Sequence, residues 1–234
     1  MKVDKYKLLA ALVRSFFDAF SSGIIDNSDA DAKERRQPKN VKQAMLEHYG
    51  HIAPVFFDTI FFPLAAMNFS YADIERAVRA AQQRGDDMMA LVKMACASDR
   101  MYDAMVAEYK RNFSALLGGR CASIADHLAA YTRQEADTVD ALDSDRAIEL
   151  TVRVVMHAYA RGLKQTENGM AKFCQPTLFR LLLDAMNVLL GDTAADYTDC
   201  GEDLSAMFMK VCQTEHNFTV MTTEMDRVHN EIMG

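Results

Sequence analysis

The sequence predicts an all-α fold, a bundle of nine to ten helices with a long C-terminal helix, and three observations predict it. Glycine and proline are scarce, at 10 and 4 in 234 residues, and a meander of short strands would need more of both at its turns. Apolar side chains recur three and four residues apart along most of the chain, which is the period of a helix with one buried face. The β-branched residues are scattered and never alternate for long, so no strand is expected. Half the residues are hydrophobic and a quarter charged, the balance of a globular domain. A single domain is expected over 1–234, with 1–40 forming a looser N-terminal helix and polar loop.

The first helix is expected over 4–22, where Leu9, Val13, Phe16, Phe17 and Phe20 make one stripe and Gly23 offers a C-terminal stop. Residues 24–38 are polar and read as a loop. Asn40 can cap a helix over 41–51. Pro54 fits the first turn of the next helix, over 54–67, and Pro63 should kink or end it. That segment is apolar nearly all round, with Phe56, Phe57, Phe61 and Phe62, so it is either central or laid against a partner. Ser70 and Asp73 open a helix over 71–84 that stops at Gly85. Asp86 caps 87–96, and Ser98 caps 99–117, closed by Gly118 and Gly119. Ser123 opens 124–142 and Ser144 opens 145–164. Pro176 starts 176–190, which Gly191 ends. After an acidic linker, one helix is expected over 203–232. At 1.5 Å per residue it would reach roughly 45 Å, enough to cross two sub-bundles or meet another chain.

The net charge is −7, and residues 134–234 carry 8 basic and 17 acidic side chains, so the whole deficit lies there. An acidic surface repels phosphate, which disfavours nucleic acid as a partner. The single basic cluster, Lys33, Arg35, Arg36, Lys39 and Lys42, is broken by Glu34 and reads as solvated chain. Five cysteines with no CxxC suit reduced thiols in a cytoplasmic protein. The most apolar stretch, Ile52 to Met67, is 16 residues long and contains Asp58, short of the roughly 20 that span a bilayer. No membrane span is expected.

Chemistry is thinly marked. Glu47, His48 and His51 come nearest to a metal motif, since residues three and four apart share a helical face. The HExxH order and spacing are missing, and Gly50 and Pro54 suggest a helix end, where histidine is favoured by the dipole. No glutamate is followed by histidine three residues on, which removes the ferritin-like di-metal bundle. Asp86, Asp87, Asp140, Asp143 and Asp145 could be read as Mg²⁺ carboxylates. Asp86, Asp143 and Asp145 stand at predicted helix starts, where acids cap the backbone. No GxSxG, diagnostic cysteine context or glycine-rich phosphate loop is present. His157, among Val154, Val155, Met156 and Tyr159, reads as a hydrogen-bonded core residue.

No cofactor is expected; a divalent metal would have to use Glu47, His48 and His51. The expectation is a non-enzymatic helical adaptor, regulator or inhibitor. Its partner-binding candidates are the apolar Phe56, Phe57, Phe61 and Phe62, and the acidic Asp196, Asp199 and Glu202, which suit a basic protein. A homodimer is a further expectation. The alternatives are an all-α metal-dependent enzyme and a carrier of an apolar small molecule, for which sixteen methionines supply adaptable surface.

Overall fold

The computed structural model describes residues 2–27, 38–117, 141–164, 173, 175–191, 200 and 203–234. Among the described residues ten helices run in the order α1 Lys5–Asn27, α2 Pro38–Glu47, α3 Tyr49–Asn68, α4 Tyr71–Arg84, α5 Met88–Ala95, α6 Asp99–Leu117, α7 Ser144–Leu163, α8 Gln175–Leu190, α9 Leu204–Cys212 and α10 Glu215–Met233. The all-α bundle predicted from the sequence is what forms. Two short strands join it, β1 Lys2–Asp4 and β2 Ala141–Asp143, paired antiparallel with Val3 opposite Leu142. Three residues cannot show an alternation, so sequence pattern misses them; they lead directly into α1 and α7 and fix where both begin.

Those two helices form the centre. α1 lies along α7, and α3, α8 and α10 pack on α7 while α2, α3, α6 and α8 pack on α1. Their contact depends on two glycines. A Cβ on Gly162 would come 2.3 Å from the carbonyl oxygen of Phe20 and 3.0 Å from Gly23 Cα, and one on Gly23 would come 2.3 Å from the Tyr159 oxygen. Gly23 is therefore not a helix stop. α1 continues through it to Asn27, because at this position the missing side chain serves close backbone approach.

Beside this crossing lies an aromatic cluster. Phe16, Phe17 and Phe20 of α1 meet Phe56 of α3 and Tyr109 of α6; the ring centroids of Phe16 and Phe56 are 5.0 Å apart and those of Phe56 and Tyr109 4.8 Å. Edge-to-face and tilted pairs of this kind add to the burial of each ring.

Caps match their expected places closely where the signal is local. Ser70 accepts from Asp73 N, Gly85 closes α4 with φ 73°, and Ser98 Oγ accepts from Met101 N at 3.1 Å. Asp87 rather than Asp86 caps α5, and Asp143 rather than Ser144 caps α7. Asp86 instead accepts from Arg84.

Three helix boundaries differ from expectation. α2 starts at Pro38, so Asn40 lies inside it and is not its cap. The junction between α2 and α3 falls at His48, so Pro54 lies inside α3, and that helix also runs through a buried Pro63. Burial of one face of α3 outweighs the backbone bond that each proline forfeits. The single C-terminal helix is broken at Gln213, which takes the left-handed conformation at φ 64° and donates through Nε2 to the Leu190 oxygen at 2.7 Å. Thr214 then caps α10 by accepting from Asn217 N, and Asn217 Nδ2 donates back to the Cys212 oxygen. The break lets one side chain satisfy the otherwise orphaned end of α8. The expected helix over 124–142 lies outside the described residues up to 140, and its last two positions are strand, in β2.

α1 and α3 are long and apolar enough to cross a membrane by length and composition. The apolar window of α1 is mostly buried within the bundle, and that of α3 half buried. α3 is longer than its apolar stretch suggests because it starts at Tyr49.

Candidate functional site

Glu47, His48 and His51 do not share one helical face, because the α2–α3 junction divides them. Glu47 ends α2 and accepts from Gln43 Nε2 at 3.0 Å, His48 is the turn residue, and His51 lies in the first turn of α3. Among the described residues, no group of three or more histidine, cysteine, aspartate or glutamate side chains is placed to hold a metal ion.

The four phenylalanines of α3 are divided by the helix period. Phe56 is wholly buried in the aromatic cluster, and Phe57 stacks on Tyr109 at 6.0 Å. Phe61 is half-buried. Phe62 packs against Tyr71, and the guanidinium of Arg153 covers its ring at 5.7 Å. Phe56 thus offers no surface, and Phe57, Phe61 and Phe62 offer only part of one. Asp196, Asp199 and Glu202 lie outside the described residues.

The exposed large apolar side chains are different ones. Leu46 is 44% and Tyr49 58% exposed, three residues apart across the α2–α3 corner, and the Tyr49 ring meets Phe113 of α6 edge-on at 5.5 Å. Sequence periodicity misses this pair because each residue falls at the end of a helix, where the stripe is ambiguous. Met88 and Met89 of α5 and Leu204 and Met209 of α9 are also exposed.

Charge is largely used inside the fold. Arg153 of α7 donates to Glu224 at 3.0 Å and to Glu231 at 2.7 Å, while Arg227 grips both oxygens of Glu224 at 2.7 Å. Two acids of the acid-rich C-terminal part are thus neutralised by a seam between α7 and α10. His157, on the same seam, is half-buried rather than a core residue, with Nε2 3.8 Å from Glu231. Burial holds its pKa below the ordinary value, and Arg153 adds to the effect.

The other buried acid is Glu108 of α6, which accepts from Arg111 at 2.7 Å and from Asn112 at 3.2 Å. Burial pushes its carboxyl above the ordinary 4.5 despite both partners. The folded state then holds this proton at a pH where the unfolded chain has lost it. Stability contributed here is full below about 4.5, falls as pH rises towards the raised value, and is level beyond it. Glu108→Gln keeps an acceptor and removes the charge. Its urea midpoint relative to the parent is expected to climb with pH across that window and then level off. A difference that stays flat between about pH 4 and about pH 8 would refute the assignment.

A cleft of about 500 Å³ lies between α1 and α8, lined also by Val155 of α7 and Val41 of α2. Its walls carry Arg14, Asp18, Asp26, Arg180 and Asp184. Arg14 Nε lies 2.9 Å from Asp18, and its Nη1 donates to Asn112 at 3.4 Å. Asp26 accepts from the Tyr159 hydroxyl at 2.9 Å. Burial pushes the carboxyls of both Asp18 and Asp184 above the usual range; Arg14 opposes this at Asp18, and Arg180 opposes it at Asp184. Cys96 and Cys212 are buried thiols, pushed up to about 12 and about 11 by desolvation, so neither is set up as a nucleophile.

No protein-family model matches this chain, and no curated protein or solved structure matches it either.

Proposed function

We propose that this chain is a cytoplasmic, non-enzymatic interaction protein that engages a protein partner, or a second copy of itself, through helix surfaces. The observation that carries this reading is the apolar pair Leu46 and Tyr49, exposed at the α2–α3 corner, with the Tyr49 ring on Phe113. Tyrosine beside an aliphatic residue, held by a packed base, has the composition of an interface anchor. The phenylalanines of α1 and α3 interlock as a core, and the cleft between α1 and α8 has charged walls. Both facts favour an interaction protein over a carrier of an apolar molecule. Buried Cys96 and Cys212, each a free thiol, suit a reducing compartment.

A native mass spectrum of the protein purified without chelator tests the reading, run alongside affinity capture with the parent and with a Leu46→Asp/Tyr49→Asp variant. Because both residues are exposed, the variant should keep the parent's melting temperature. The expected result is a dimer, or a stoichiometric protein partner, that the variant loses. Equal capture by parent and variant would remove this corner as the interface. A stoichiometric metal lost on mutating Glu47, His48 and His51 would replace the reading with a metal-dependent enzyme.

A further inference from the structure

The cleft between α1 and α8 has a chemistry that an interaction surface does not need. At about 500 Å³ it falls within the range of small-molecule sites, roughly 300–1,000 Å³, and it lies between packed helices, where such sites recur. Its charged groups satisfy one another only in part. Arg14 is committed to Asp18 and Asn112. Asp184 enters from α8, and its like charge makes that of Asp18 less favourable. Arg180 stands one turn before Asp184 on the same helix and lines the same cleft. No salt bridge joins Arg180 to Asp184 among the described residues, although a spacing of four residues permits one. The side chain of Asp18 keeps 31% of its surface open, so a ligand can reach it.

An ammonium group placed between two carboxylates relieves their repulsion and takes the place of lost water. The guanidinium of Arg180 presents a planar fork that matches a carboxylate. We propose that this cleft binds a small zwitterion of the free amino-acid class, its ammonium between Asp18 and Asp184 and its carboxylate on Arg180. A metal ion fits less well, because only carboxylates of two separate helices face the opening and no group of three metal-ligating side chains occurs among the described residues. Neither Leu46 nor Tyr49 lines this cleft, so its failure would leave the interaction reading untouched.

Thermal melts of the full chain with pools of free L-amino acids at millimolar concentration test the proposal. One pool is expected to raise the melting temperature by about 2–4 °C, the shift that a kilocalorie of linkage produces in a chain of this size. Asp184→Asn and Arg180→Gln are each compared with their own melt without ligand, and each should lose the shift. A diamine lacking a carboxylate and acetate lacking an amine should each give less than the pool does. The proposal is overturned if no pool shifts the melt, if either variant keeps the full shift, or if magnesium chloride alone reproduces it.

Discussion

Gly162→Ala is expected to destabilise the protein by about 3 kcal/mol, at the upper end of the roughly 1–3 kcal/mol that overpacking costs. The added carbon would stand 2.3 Å from the Phe20 carbonyl oxygen and 3.0 Å from the Ile24 nitrogen. Both are backbone atoms of a helix buried along most of its length, so no side chain can swing away. α1 and α7 would have to part, and every contact along the central pair would loosen with them. Gly23→Ala offends the same crossing from the other side, with the Tyr159 oxygen at 2.3 Å and the Leu163 nitrogen at 2.9 Å. The double variant should cost less than the sum of the two, because helices already separated by the first methyl accept the second. Gly50, near the start of α3, has nothing within 4 Å of a built Cβ, and Gly50→Ala should be neutral or stabilising by up to about 1 kcal/mol. Urea denaturation of the four variants makes the comparison. A Gly162→Ala protein within about 1 kcal/mol of the parent would show that the two helices do not meet this closely.

Glu224→Ala should cost about 3 kcal/mol, the lower end of the roughly 3–5 kcal/mol for breaking one side of a buried ion pair. The Glu224 side chain is 5% and that of Arg153 16% exposed, and both Arg153 and Arg227 would lose a hydrogen-bonded acceptor in a place that water reaches poorly. Arg153 keeps Glu231, and Arg227 is half open to solvent, which is why the cost stays at the low end. Glu231→Ala, at the open end of the seam, should cost under about 1 kcal/mol. Replacing Arg153 and Glu224 together by methionine should recover most of the loss, since the penalty comes from the charge left behind rather than from the pair itself. Equilibrium unfolding of the single and double variants measures the coupling. Equal costs for Glu224→Ala and Glu231→Ala would mean that the seam is solvated along its whole length.

Part of the acidic excess of the last third is used within the fold. Read as a string, it suggests a face for a basic partner. Glu224 and Glu231 are instead spent on Arg153 and Arg227, and Asp203 caps α9 by accepting from Ala206 N. A charge count cannot show this, because the cation that neutralises Glu224 across the seam is 71 residues away in the chain.

By itself the sequence determined the all-α class and those helix ends whose signals lie within four residues of the end. Ser70 and Gly85 bracket α4 because the bonds they make are to their immediate neighbours. Thr214 is of a residue type that caps helices. The long apolar stripe running across it hid that signal. The tertiary structure alone decided what depends on distant partners. It made Gly23 a point of contact instead of a stop, carried α3 through two prolines, and placed Glu47, His48 and His51 across a junction. It also drew Asp18 and Asp184, 166 positions apart in the chain, onto one cleft. Caps and turns are settled by bonds that any short segment makes alone. Close backbone approach, burial of a charge and the walls of a cavity are set by which helix lies opposite, and a single sequence does not carry that information locally.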